Sequence, residues 1–185
     1  VMVVKGQRSV GQSYIFGQKA MHVMQQGVSG NNSVFINREL TAVDFIENYQ
    51  DVDSFIRLYR EELKPEGRIY ICIDEVQDID GWERVVNSLS QDYTEDYEVF
   101  ITGSNSKMFS GELSTLLSGR YVEFRIFPLS YDEYANVHQL SVGKQSYMQY
   151  MADGGYPELV HFSSSDVKRS YISGLKDTVL LKDII

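Results

Sequence analysis

The sequence holds one cysteine, Cys72, in 185 residues, so no disulfide can close within it. A reducing, cytoplasmic setting is the expectation. Its three histidines, His22, His138 and His161, stand apart, with no partner at helical spacing and no zinc-site pattern. No uncharged run approaches the roughly 20 apolar residues that cross a bilayer, so no membrane partner is expected. The opening VMVV is too short for the apolar region of a signal peptide. Basic residues are also scarce: 17 Lys and Arg against 26 Asp and Glu give a net charge of −9, with no basic run. A general electrostatic hold on nucleic acid needs clustered Lys and Arg, so the acidic balance reads as a solvated surface instead. What is present is ordinary for a globular chain: 43% hydrophobic and 23% charged residues, without repeats or low-complexity segments. The length suits one domain, or one domain and part of another.

Strand and helix patterns alternate along the chain. Short apolar runs at Val1 to Val4, Ser33 to Asn37, Arg68 to Asp74, Val99 to Thr102 and Tyr121 to Phe127 read as strands. Between them, helical spacing covers Ser13 to Gln26, closed by Gly27, and Val52, Phe55, Ile56, Tyr59 and Leu63, ended by Lys64-Pro65-Glu66-Gly67. It also covers Trp82, Val85, Val86 and Leu89, and a short Leu113, Leu116, Leu117 face stopped by Gly119. Thr41 to Tyr49 is a further expected helix, with Thr41 and Asp44 as its capping box, and Ser130 with Glu133 is a second box opening a helix at 131–138. Residues 146–152 and 166–182 complete the helical tail. Alternation of this kind predicts an α/β fold, a parallel sheet with helices on both faces. A boundary falls at Pro128: a core of residues 1–127 and a helical region of residues 128–185. Val1 opens directly into a strand and DTVLLKDII ends without a cap, which leads to the expectation of a piece of a longer protein.

In an open parallel sheet, ligands bind beyond the carboxyl ends of the strands. After the first strand comes Gly6-Gln7-Arg8-Ser9-Val10-Gly11-Gln12-Ser13. This is the phosphate-loop pattern G-x-x-x-x-G-K-[ST], with Gln12 in the lysine position. The glycines would bring backbone N–H groups to a phosphate, the following helix would present its positive end, and Ser13 could place a hydroxyl on Mg²⁺. A neutral glutamine gives amide hydrogen bonds where lysine gives a full charge. Arg8, inside the loop, is a candidate for compensation, though a guanidinium is not placed like the missing ammonium. The bland alternative is an ordinary turn of small residues.

The third strand runs Ile71-Cys72-Ile73 into Asp74-Glu75. In a Walker B arrangement the first carboxylate would hold Mg²⁺ through water and the second would polarise the attacking water. The alternative is a pair of acids in a solvated loop. Thr102-Gly103-Ser104-Asn105 ends the fourth strand, as a sensor of the nucleotide or as an Asx-type turn. Arg120, before the fifth strand, is open to two readings: an arginine finger on a neighbouring subunit's nucleotide, or a surface ion pair. Lys107 reads as solvated, Trp82 and Cys72 as core. The 13 tyrosines are spread out and form no stacking platform.

These residues carry a resemblance. CIDEVQDIDGWERVVNSL, EVFITGSNSKMFSGELSTLLSGRYVEFRIFPLSYDEY, GGYPE and YISGLKDTVLLKDI resemble the prokaryotic AAA-type P-loop ATPases, in the AAA_14-like branch whose ATPase domain precedes a DUF4143-type domain. The resemblance spans nearly the whole chain; Gly6, Gly11 and Ser13 match the family's loop and Gln12 departs from it. It implies a P-loop NTPase fold, a three-layer α/β/α sandwich on a five-stranded parallel sheet of ASCE order 5-1-4-3-2, followed by a small helical region. It implies ATP and Mg²⁺ as cofactors. Gly6, Arg8, Ser9, Val10, Gly11, Gln12, Ser13, Tyr14 and Ser104 would touch nucleotide. Ser13 and Asp74 would hold metal, and Glu75, Asn105 and Arg120 would serve catalysis. It implies homo-oligomeric assembly as the setting for Arg120, and DNA contact only through a C-terminal part that this chain does not contain.

Two functional expectations follow. The first is an ATP-binding, Mg²⁺-dependent ATPase module. The second is a nucleotide-binding or nucleotide-free switch or interaction domain with little or no hydrolysis, favoured by Gln12. A purely structural domain is a third reading, against which the intact Ser13 and Asp74-Glu75 pair counts.

Overall fold

A computed structural model describes residues 1–103, 115 and 117–181. The chain forms two compact units: residues Val1–Lys5 with Gln12–Arg125, and residues Gly6–Gly11 with Ile126–Ile185.

The first unit is built on β1 (Met2–Gly6), β2 (Ser33–Asn37), β3 (Ile69–Asp74), β4 (Tyr97–Gly103) and β5 (Val122–Ile126). Their order across the sheet is β2-β3-β4-β1-β5, the arrangement expected from the resemblance. β2 with β3, β3 with β4 and β4 with β1 pair in parallel. The helices are α1 (Gln12–Gln25), α2 (Tyr49–Leu63) and α3 (Trp82–Ser90). Central strands buried on both faces need near-continuous apolar runs, and β1, β3 and β4 carry them in Met2 to Val4, Ile69 to Ile73 and Val99 to Ile101, with polar residues at their ends.

Side chains alternate along each strand, so each face collects every second residue. Ile69, Ile71 and Ile73, with Val34, Ile36, Val99 and Ile101, join the core formed with α2 and α3. From α3, Trp82, Val85, Val86 and Leu89 enter it at i, i+3, i+4 and i+7, as the spacing predicts. Each such side chain, fully buried, contributes about 1.5–3 kcal/mol before entropy is counted. The opposite face carries Tyr70, Cys72, Phe35 and Phe100, and α1 lies against it through Phe16 and Val23, each 1% exposed.

One helix expected from the sequence is different. Residues Thr41–Val43 form a single 3-10 turn, whose cap at Leu40 uses no side chain. The capping box lies seven residues on, where Asn48 accepts from the N–H groups of Gln50 and Asp51 while the Asp51 carboxylate receives the Asn48 N–H. Asp44 follows only a turn and cannot act at an N3 position. The helix of Leu113 and Leu116 lies outside the described residues; Leu117 is 1% exposed, and Gly119 takes φ +70° as a stop requires.

In the second unit, Ser130 and Glu133 make the expected capping box for α4 (Tyr131–Val137), followed by α5 (Lys144–Asp153) and α6 (Ser165–Val179). Here the tyrosines that look scattered in sequence gather. The Tyr134 ring lies 5.3 Å from Tyr150 and 4.2 Å from His138, and Tyr131 packs on Tyr147 and Tyr150 at 5.2 and 5.8 Å. Tyr134 donates to Asp153 at 2.8 Å, and Lys168, 7% exposed, pairs with the same carboxylate at 2.5 Å. The GGYPE segment has a steric reason. The Leu129 N–H donates to the Gly155 carbonyl at 2.6 Å, and a Cβ on Gly155 would stand 2.4 Å from the Leu129 oxygen.

Candidate functional site

Parallel register brings the acidic end of β3 beside the polar end of β4. Ile73 pairs with Ile101, so Asp74 comes level with Thr102. Asp74 is 1% exposed, and the Thr102 hydroxyl donates to its Oδ1. The same hydroxyl oxygen accepts from the Glu75 N–H at 3.2 Å. A buried carboxylate needs such donors to stay charged without a large desolvation cost. The Thr102 hydroxyl therefore fixes the carboxylate and the start of the turn after it.

Glu75 leaves the strand in the left-handed region, φ 52° and ψ 51°, a conformation costly for a residue with a side chain. Its carboxylate receives the Gln77 amide. Asp74 and Glu75 are thus turned apart: one is locked into the sheet end, the other carried by the turn.

Gln12 is the first residue of α1 and 7% exposed. Its Nε2 donates to the Gly103 carbonyl, the last of β4, at 3.1 Å. The side chain in the lysine position is therefore tied to the protein's own backbone. Ser13 and Tyr14 follow in the first turn of α1, both exposed, Tyr14 at 71%. Arg120 is exposed at the approach to β5. Its backbone meets Leu117 and the amino terminus of Val1, and its side chain makes no hydrogen bond or ion pair among the described residues. Ser104, Asn105 and Lys107 lie outside the described residues.

In the second unit, the Gly6–Gly11 segment turns through two left-handed residues, Ser9 at φ 65° and Gly11 at φ 96°. The Val10 N–H closes it onto the Gln7 carbonyl at 3.4 Å, and the Tyr156 hydroxyl donates to Gln7 Oε1 at 3.3 Å. Space around Gly11 is open, with nothing within 4 Å of an added Cβ, so its glycine answers to backbone conformation alone.

Sequence reasoning singled out Asp74, Glu75 and Gln12, named Thr102 only within a sensor segment and not as the holder of Asp74, and passed over Gln77, which holds Glu75. For Thr102 the signal was available: a hydroxyl at the end of the strand parallel to β3, one step beyond its last apolar residue. For Gln77 there was none, because its reach depends on the left-handed turn at Glu75.

The architecture is that of the P-loop NTPases, with a five-stranded parallel sheet in ASCE order and acids at the end of β3. The chain belongs to the AAA domain family AAA_14, whose profile matches residues 1–135. An uncharacterized protein of Haemophilus influenzae is 36% identical over 100% of this chain, and the match covers 46% of that protein. This chain therefore spans about half the length of that relative. Among solved structures, the replication initiator DnaA bound to AMPPCP and single-stranded DNA matches with a TM-score of 0.55 at 13% identity, over 96% of this chain and 56% of that one. The Aeropyrum pernix ORC1 protein in complex with DNA matches with a TM-score of 0.52 at 13% identity, over 80% and 43%. At such identity these likenesses speak for the fold. Among the described residues no helix is long and apolar enough to cross a membrane, and no group of three or more His, Cys, Asp or Glu is placed to hold a metal.

Proposed function

We propose that this chain is an ATP-binding, Mg²⁺-dependent AAA module. The observation that supports it most is the buried Asp74 carboxylate at the end of β3, held by Thr102 and followed by Glu75. The residues fit the ligands in kind. Mg²⁺ is commonly bound by one or two carboxylates together with substrate phosphates, and Ser13 and Asp74 offer a hydroxyl and a carboxylate without a dedicated protein cage. The left-handed Ser9 and Gly11 suit a loop that turns successive N–H groups toward an anion. With nucleotide bound, the metal would neutralise charge on the phosphates.

The chain's own residues then take these roles. Gly6, Arg8, Ser9, Val10, Gly11, Gln12, Ser13 and Tyr14 bind and orient the phosphates. Ser13 and Asp74 hold the metal. Glu75 polarises water, with Ser104 and Asn105 as the sensor region. Arg120, exposed and without a partner among the described residues, acts on the nucleotide of a second copy in a homo-oligomer. The DNA and nucleotide named for the two solved relatives suggest nucleotide as the ligand here, with DNA contact reserved for parts beyond this chain. A cytoplasmic setting fits the single cysteine.

A second reading rests on Gln12. With its amide committed to Gly103, the loop gains no charge on the transferring phosphate, and the module would act as a nucleotide-dependent switch with little hydrolysis. Calorimetric titration with ATP and Mg²⁺, beside the Gln12→Lys variant, tests both. Micromolar binding by the chain itself, about −8 kcal/mol, is the expected outcome, and turnover found only in the variant supports the switch. Turnover in the unaltered chain that Glu75→Gln abolishes supports the ATPase. Failure of both proteins to bind nucleotide overturns the proposal.

A further inference from the structure

Between α1 and strands β2, β3 and β4 lies a cavity of about 400 Å³, within the range of small-ligand sites. It is walled largely by aromatic rings. Phe16 from α1 stands edge-on to Phe35 at 6.2 Å and to Phe100 at 6.4 Å, with interplanar angles of 84° and 73°. Phe35 remains 47% exposed, so this side of the sheet is not closed over.

Two polar side chains and one glycine stand on the apolar walls. Lys19 lines the cavity with its Nζ 5.4 Å from the Phe100 centroid, and it forms no ion pair among the described residues of a chain whose net charge is −9. The Ser33 hydroxyl, also on the lining, is buried with no hydrogen-bond partner among the described residues. Unsatisfied buried hydroxyls are rare enough to call for a partner.

The glycine is Gly17. It sits in the interior of α1, where glycine is among the poorest helix formers. An added Cβ would meet nothing within 4 Å, and its φ is not left-handed, so neither backbone nor packing demands a glycine there. What the missing side chain leaves is the cavity, which Gly17 lines.

We propose that this cavity is a small-molecule site for an aromatic carboxylate. The flat ring packs among Phe16, Phe35 and Phe100, whose edge-on geometry suits a further ring. The carboxylate pairs with Lys19 and accepts from the Ser33 hydroxyl. The cavity meets the nucleotide reading at Ser13, which lines it, but recognition of the ring and its carboxylate by Phe16, Phe35, Phe100, Lys19 and Ser33 does not depend on that reading.

Calorimetry with 2-naphthoate, and with the neutral 2-naphthalenemethanol for comparison, tests this. The chain should bind 2-naphthoate saturably in the submillimolar range. Lys19→Met should weaken the carboxylate about tenfold and leave the alcohol unchanged, and Ser33→Ala should weaken it about threefold. Gly17→Leu fills the cavity and should abolish binding of both, with an unchanged or raised melting temperature because leucine favours helix. No saturable binding, equal weakening of acid and alcohol by Lys19→Met, or unchanged binding in a folded Gly17→Leu protein overturns the proposal. So does a shift of Gly17→Leu from dimer to monomer in light scattering, which would assign the cavity to a second copy. Lys19 is surface-accessible, so its variant decides the matter even where Gly17→Leu does not fold.

Discussion

At the scale of single residues, one hydroxyl and one amide set the character of the site. Thr102 serves Asp74 and the backbone of Glu75 together. Gln12 closes on Gly103, where a lysine would have carried a charge beyond its own chain. Cys72, on the same strand as Asp74, is governed by burial first and then by that carboxylate, which push its thiol up to about 12 from an ordinary 9.0. At pH 8 the native protein should therefore react with iodoacetamide far more slowly than an ordinary thiol does. The linkage has a definite sign. A folded pKa above the unfolded one gives stabilisation that is whole below pH 9 and is lost as pH rises toward 12. Urea titrations between pH 8 and 11 should show a steeper alkaline loss for the unaltered chain than for Cys72→Ala.

At the scale of elements, close approach of backbones matters more than propensity. Gly155 lets the chain after α5 lie directly on Leu129. Gly155→Ala must push that contact apart and should cost about 1–3 kcal/mol, read as a lower urea midpoint with an unchanged slope. The strands and most helices were legible in sequence because their apolar residues repeat at 2 or 3.6 and fill real faces, as Trp82 to Leu89 do. The helix expected from Thr41 failed because the Asn48 box, with its reciprocal bonds to Asp51, wins the competition for the start of α2. The acids of the site were legible as a motif. Support by Thr102 was legible only once the register of β3 with β4 was considered, and support by Gln77 was not, since it depends on a left-handed turn. The tyrosine cluster was invisible for a like reason: four rings from two helices meet only after folding.

At the scale of the whole molecule, the two units are held by different physics. The first rests on apolar burial around its sheet. The second rests in part on a polar knot, in which Asp153 joins Tyr134 and Lys168. Burial alone would raise the Asp153 carboxyl, but the bonds from Lys168 and Tyr134 outweigh it and hold it below its ordinary 3.8. A lowered carboxyl stabilises above the ordinary value and loses that contribution as pH falls through the lowered one. Acid below about pH 4 should therefore weaken the second unit selectively. Lys168→Met should destabilise it by about 1–3 kcal/mol at neutral pH, because it leaves the half-buried Asp153 carboxylate without its cationic partner, and Asp153→Asn in addition should restore part of the loss.

The placing of Trp82 makes that comparison direct. The chain's one tryptophan is 9% exposed among the side chains of the first unit, while Tyr131, Tyr134, Tyr147 and Tyr150 crowd together in the second. Indole emission therefore reports the first unit alone, and the coupled rings of the cluster add a near-ultraviolet dichroism that belongs to the second. The protein carries its own two-colour label, and its halves can be watched melting separately without a dye or a tag.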